Sequence, residues 1–116
     1  MLNQLILVGR LVRNPEVVEI NDTKYSHITL AVSRSYKNIN GEYETDFIDC
    51  TLWRGIAEST AEYCKKGDLV SVRGRLQSSS YEKDGKTFYK TDVIVEKISF
   101  LAVFKEKETT KEIKEQ

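Results

Sequence analysis

The sequence predicts an all-β domain, a five-stranded Greek-key barrel with one helix between its third and fourth strands. Three observations lead there. Five stretches carry apolar residues with the period of two that half-buried strands require. Only one stretch, 55–68, spaces them as a helix does. Turn-forming pairs, Asn21-Asp22, Asn40-Gly41 and Asp84-Gly85, separate the strands.

The first strand is NQLILVGRLVR, residues 3–13. Leu5, Leu7 and Leu11 fall on one face, Ile6, Val8 and Val12 on the other. A strand apolar on both sides is expected to be buried on both. The chain has 116 residues, enough for one domain but not for a second layer over that outer face. A neighbouring subunit is the expected cover, over Leu5, Ile6, Leu7, Val8 and, from a later strand, Ile48. Gly9 marks a bend or bulge.

NPEVVEIND contains the only proline, Pro15, at a turn, then a short strand and the polar Asn21-Asp22 turn. In KYSHITLAVSRSY, Ile28, Leu30 and Val32 alternate with Thr29, Ala31 and Ser33. KNINGEYE is a polar hairpin tip. TDFIDCTLW, residues 45–53, places Ile48, Cys50 and Leu52 on one face and Phe47, Asp49, Thr51 and Trp53 on the other. The only tryptophan thus lies off the evident core.

In GIAESTAEYCKKGD the residues Ile56, Thr60, Tyr63 and Cys64 share a helical face. Lys65 and Lys66 close the helix and favour its dipole, and Gly67 stops it. DLVSVRGRLQ turns Val70, Val72 and Leu76 one way and Leu69, Ser71, Arg73 and Arg75 the other. SSSYEKDGKTFY reads as a polar loop, and KTDVIVEKISFLAVF as the last strand. The end, KEKETTKEIKEQ, holds four Lys and four Glu. The division is a barrel domain over 1–104 and a charged flexible tail over 105–116. This element order is the plan of the OB-fold.

Composition sets limits on function. Lys and Arg total 18, as do Asp and Glu, so net charge is zero. That mildly opposes nucleic-acid binding unless one face collects the cations. No apolar run is long enough to span a bilayer, and MLNQLILVGRL lacks the basic start and cleavage site of a secretory signal. A cytoplasmic protein without membrane contact is expected. Cys50 and Cys64 form no CxxC pair and read as buried free thiols. The sole histidine, His27, reads as a strand residue. No metal set, phosphate-cradling loop or nucleophile motif is present, so neither enzyme nor cofactor is expected.

An OB-fold binds with the outer side of its second and third strands and two long loops. That surface would carry Phe47 and Trp53, with Tyr36 and Tyr43 at the ends of the first loop. Tyr81, Phe88 and Tyr89 belong to the second. Arg34, Lys37, Arg54, Arg73, Arg75, Lys83 and Lys86 are interleaved. Unpaired bases expose flat π faces that rings can stack on, and cations pair with phosphates. The plainer alternative packs Phe47 and Trp53 under a loop or against another subunit. Arg10 and Arg13 could bind phosphate or bridge subunits, Tyr63 fits ordinary packing, and Tyr43 could simply brace the hairpin.

LNQLILVGRLVRNPEV, ITLAVSRSYKN, INGEYETDFIDCTLW, AEYCKKGDLVSVRGRLQ and SYEKDGKTFYKTDVIVEKISFL together resemble the bacterial single-stranded DNA-binding proteins. The resemblance covers nearly all of the chain before the tail. It implies a homotetramer joined through first strands and a DNA platform of four aromatics: Tyr36, Phe47, Trp53 and Tyr81. It implies cationic partners at Arg10, Arg34, Arg54 and Arg75.

The sequence departs from the family twice near that platform. Ser79 stands where relatives often carry arginine before the loop aromatic, and Gly55 follows Arg54 where a second basic residue is common. Each loss should flatten the salt dependence, whose slope is roughly −0.7 per phosphate on single strands. The terminal KEIKEQ differs from the acidic Asp-Ile-Pro-Phe tip of housekeeping forms. The chain more closely resembles the short paralogues of naturally transformable bacteria, or copies carried on phages and mobile elements, and recruitment of replication and repair proteins through such a tip is not expected. The expected role is protection of single strands in replication, recombination or DNA uptake. The competing reading is a dimeric, primosome-type OB module with modest nucleic-acid affinity, or an RNA-binding variant of it.

Overall fold

A computed structural model describes residues 1–103. The expected tail, 105–116, lies outside the described residues. The elements are β1 (Leu5–Leu11), β2 (Val18–Ile20), β3 (Thr23–Lys37), β4 (Tyr43–Trp53), α1 (Arg54–Tyr63), β5 (Leu69–Lys83) and β6 (Lys86–Ala102). Strands run β1-β5-β6-β4-β3-β2 across the sheet, and β1 also pairs with β3, closing a five-stranded barrel. This is the OB-fold. Counting the three-residue β2, which pairs only with β3, places the helix between the fourth and fifth strands. All pairings are antiparallel except β4 with β6.

Alternation builds the interior. Leu11, Ile28, Leu30, Cys50, Leu52, Val70, Val72, Val93 and Val95 are buried, joined by Ala57 and Cys64. Leu5, Leu7 and Ile48 also pack against this core within their own chain. Ile6 and Val8, 65% and 48% exposed, are what β1 leaves facing out. Leu76 departs from the expected inward set and is half exposed, because β5 runs on past the barrel from there.

α1 buries Ala57 and Thr60, with Ile56 packed on the core. Tyr63, expected on the same face, is exposed. The helix ends at Tyr63 and has no basic residue in its last turn. Lys65 and Lys66 therefore lie past it, where the Lys65 backbone N–H donates to Asp68 Oδ2 and that of Lys66 to Asn14 Oδ1. Both cysteines are buried free thiols. Burial, and then the charge of Asp49, pushes the Cys50 thiol up to about 12. Burial and Asp68 raise Cys64. Thiols held protonated in this way are poor nucleophiles.

Turn chemistry fixes two hairpins. Ile20 pairs with Thr23 and Lys83 with Lys86, leaving Asn21-Asp22 and Asp84-Gly85 as two-residue turns. All four turn residues have positive φ, the geometry that matches strand twist. The third turn is longer. Asn38 organises it by accepting the N–H groups of Asn40 and Glu42 at its side chain, an Asx-type bond, while Gly41 takes φ +78°.

Candidate nucleic-acid interface

The β3–β4 register decides which side chains share the outer face. Tyr25 stands opposite Trp53, His27 opposite Thr51, Thr29 opposite Asp49, and Ala31 opposite Phe47. The intervening pairs, Ser26 with Leu52, Ile28 with Cys50 and Leu30 with Ile48, point inward. Phe47 is 67% exposed and Trp53 43%. The difference follows from their partners. Ala31 has no side chain large enough to cover Phe47, whereas the Tyr25 ring lies 5.4 Å from that of Trp53. Tyr25 also meets His27 edge-on at 5.2 Å.

Polar groups fill the gap between the two rings. Arg13 Nη2 donates to Thr29 Oγ1 at 3.1 Å, and Thr29 donates to Asp49 Oδ1 at 2.7 Å. Thr51 Oγ1 and His27 Nδ1 are 3.1 Å apart. Tyr25, His27 and the Thr29–Asp49 bond were not among the expected site residues. Their signal was present in the parity of KYSHIT, but Ser26 between them masked the strand's buried face.

The second expected loop, 78–89, is instead a two-stranded arm. β5 and β6 stay paired through Tyr81–Phe88 and Glu82–Thr87 to the Asp84-Gly85 turn. It has no buried face and stands on ladder hydrogen bonds, its turn, and one cross-strand aromatic pair. The Tyr81 and Phe88 rings stack at 5.4 Å with 20° between planes. Such pairs add up to ~1 kcal/mol to a sheet. At the first loop Tyr36 is exposed, and Lys37 Nζ sits 5.6 Å over the Tyr43 ring.

The expected cations divide into engaged and unengaged. Arg34 Nε and Nη2 donate to Asp46, the latter at 2.8 Å, and Nη1 donates to Glu44. Asp46 pairs with Val32, which puts it on the opposite face of β4 from Phe47. Arg10 donates to the Gly67 carbonyl at 2.9 Å, and Arg75 to Gln77 Oε1 at 2.8 Å. Arg54 has φ +54°, a strained backbone for a side chain of its size. Among the described residues, no hydrogen bond or ion pair holds the side chains of Arg54, Arg73, Lys83 or Lys86.

The Arg34 guanidinium, by hydrogen bond and then by charge, holds the Asp46 carboxyl below its ordinary 3.8 against the opposing pull of burial. A lowered carboxyl favours folding while ionised and loses that contribution as pH falls through its folded value. Asp46→Asn should therefore lose less thermal midpoint than the wild type on acidification from neutral to about pH 2. The pair is exposed, so the difference is expected to be small. Equal losses in both proteins would mean the brace adds nothing measurable.

The model of the single-strand binding protein family matches residues 2–101. Single-stranded DNA-binding protein B of Bacillus subtilis (strain 168) is 48% identical over 103 residues, covering 87% of this chain and 91% of that protein. The single-stranded DNA-binding protein of Bacillus cereus is also 48% identical, but this chain spans only 61% of its length. Single-stranded DNA-binding protein 2 of Streptococcus agalactiae serotype III is 43% identical, with 87% of this chain and 78% of that protein covered.

Proposed function

The chain belongs to the single-strand binding protein family, whose members are binding proteins and not enzymes, and from that premise we propose that it binds and protects single-stranded DNA without sequence preference. The observation that carries this reading is the pair of outward rings, Phe47 and Trp53, at the two ends of one β3–β4 face. Bases stack on them and on Tyr36 and Tyr81 of the two hairpins, each stack contributing ~1–3 kcal/mol. Lys37, Arg54, Arg73, Lys83 and Lys86 take phosphates, with Arg10 free to exchange its present partner and Arg75 reaching a phosphate through the guanidinium donors that Gln77 does not occupy. Arg34 acts by bracing the first hairpin against Asp46 and Glu44. The processes served are replication, recombination or repair, and DNA uptake, in the cytoplasm.

Among the described residues no helix is long and apolar enough to cross a membrane. Ile6 and Val8 support association through β1 into a homotetramer. Their apolar outer row would otherwise face water, and single-copy domains seldom leave such a row uncovered. Light scattering separates the tetramer from the dimer that an interaction module would form.

The test of the binding reading is titration with oligo-dT while following intrinsic fluorescence. Trp53 is the sole tryptophan, so the signal reports one known position. Saturable quenching that fades with added salt is expected, with far less from duplex of equal length. Binding without quenching would remove Trp53 from the platform. No binding would overturn the reading.

A further inference from the structure

Beside Trp53 a groove of about 450 Å³ crosses the outer surface, within the range of small-ligand sites. It draws on five strands, Ile20 of β2 among them. Tyr25 and His27 come from β3, Thr51 and Trp53 from β4, Gln77 from β5, and Asp92 from β6. Gln77 and Asp92 are Cα partners, and β6 is paired in turn with β4 through Thr51 and Ile94, so the polar pair lines the groove from β6, the strand next to the one that carries Trp53, and from β5 beyond it.

The chemistry of that pair is directional. Arginine only donates, so the bond from Arg75 Nη1 fixes Gln77 with its Oε1 turned to the guanidinium. The amide N–H₂ of Gln77 is then the group left to donate. Asp92, partly buried, offers two acceptor oxygens, one of them 3.6 Å from the exposed Lys90 Nζ, a long contact weak enough to yield. One donor beside two acceptors is complementary to one base edge in particular. Guanine presents O6, N1–H and N2–H₂ in that order. Thymine matches two of the three groups but places O2 where the second carboxylate oxygen would lie; in the same orientation cytosine repeats the donor–acceptor–acceptor order of the site, and adenine sets N6–H₂ against the amide donor and N1 against the carboxylate.

We propose that this groove is a guanine-reading subsite, in which the base stacks on Trp53 while Gln77 donates to O6 and Asp92 accepts from N1–H and N2–H₂. The inference rests on the single-strand reading and adds to it a preference at one step of an otherwise indifferent path. It also gives a reason for a carboxylate on a surface that receives phosphates. Asp92 repels the backbone and is repaid only where a base offers it donors.

The experiment compares three oligonucleotides of equal length: all dT, dT with one central dG, and dT with one central deoxyinosine, which lacks only the N2 amine. Binding is measured with wild type, Asp92→Asn and Gln77→Ala. The wild type should hold the dG oligonucleotide roughly five-fold more tightly than the inosine one. Asp92→Asn should abolish that ratio while keeping or improving affinity for all-dT, which also shows that it is folded. Gln77→Ala should lower affinity for dG and inosine together, since both carry O6. Equal wild-type affinity for dG and inosine would overturn the proposal, as would an unchanged ratio in Asp92→Asn. If the wild type bound none of the three, the single-strand reading itself would fall and take this one with it.

Discussion

Trp53→Ala is expected to weaken binding of oligo-dT by roughly five- to more than a hundred-fold, the equivalent of one lost stack at ~1–3 kcal/mol. The upper part of that range is the better expectation. Trp53 is braced by Tyr25 at 5.4 Å, so its ring is held in place before a base arrives and little freedom remains to be lost on binding. The fold should tolerate the change. Trp53 precedes α1 in an extended conformation and makes no side-chain cap, and its ring is outside the buried cluster. Trp53→Phe keeps an aromatic face and should restore most of the affinity. Circular dichroism separates the two ways of failing. A folded Trp53→Ala protein with unchanged affinity would show that Trp53 is structural.

Phe47→Ala tests the other end of the same face under different conditions. Its cross-strand neighbour is only Ala31, so nothing pre-positions the ring and more of its order must come from the base. Its loss should cost less than that of Trp53. This contrast comes from the register and not from the residue types, which would rank the two rings simply by size.

The same distinction explains what was legible in the sequence. The barrel was readable because each of its strands has one buried face, and alternation records that directly. The outward position of Phe47 and Trp53 followed from the same parity. What was missed depends on neighbours that no single stretch names. The 78–89 arm buries nothing, so it carries no alternation, and its strands are visible only once Tyr81 is known to face Phe88. Arg34 looked like one more cation beside the aromatics. Its attachment to Asp46 and Glu44 depends on how β3 and β4 are aligned, and that alignment shifts between Ser33 and Lys37. Because both faces of β1 are apolar, its sequence alone assigns the first-strand leucines to a subunit interface. Only the closed barrel shows that Leu5 and Leu7 already have a core to fill.

Closure also sets the largest expected effect on stability, which is at Gly74. β5 and β6 slip register between Arg73 and Gly74, and a Cβ added at Gly74 would come 2.2 Å from the Ile94 carbonyl oxygen and 3.1 Å from its carbon. Those are backbone atoms of the neighbouring strand, so relief requires moving the strand and not a side chain. Gly74→Ala should destabilise at or above the top of the ~1–3 kcal/mol range for overpacking, lowering the thermal midpoint by about 10–20 °C. Gly9 is constrained in the same way, with Ala31 oxygen 2.6 Å from its added Cβ. It sits where β1 leaves β5 for β3, and the longer contact, with less overlap to relieve, predicts a large but smaller loss. The effect of Gly74 should extend to binding. Ile94 is the Cα partner of Thr51, so a displaced β6 pulls on β4, the strand that carries Phe47 and Trp53. At temperatures where Gly74→Ala remains folded, its affinity for oligo-dT should fall although no side chain on the binding face has changed. A Gly74→Ala protein as stable as the wild type would mean that the two strands are not held at this spacing.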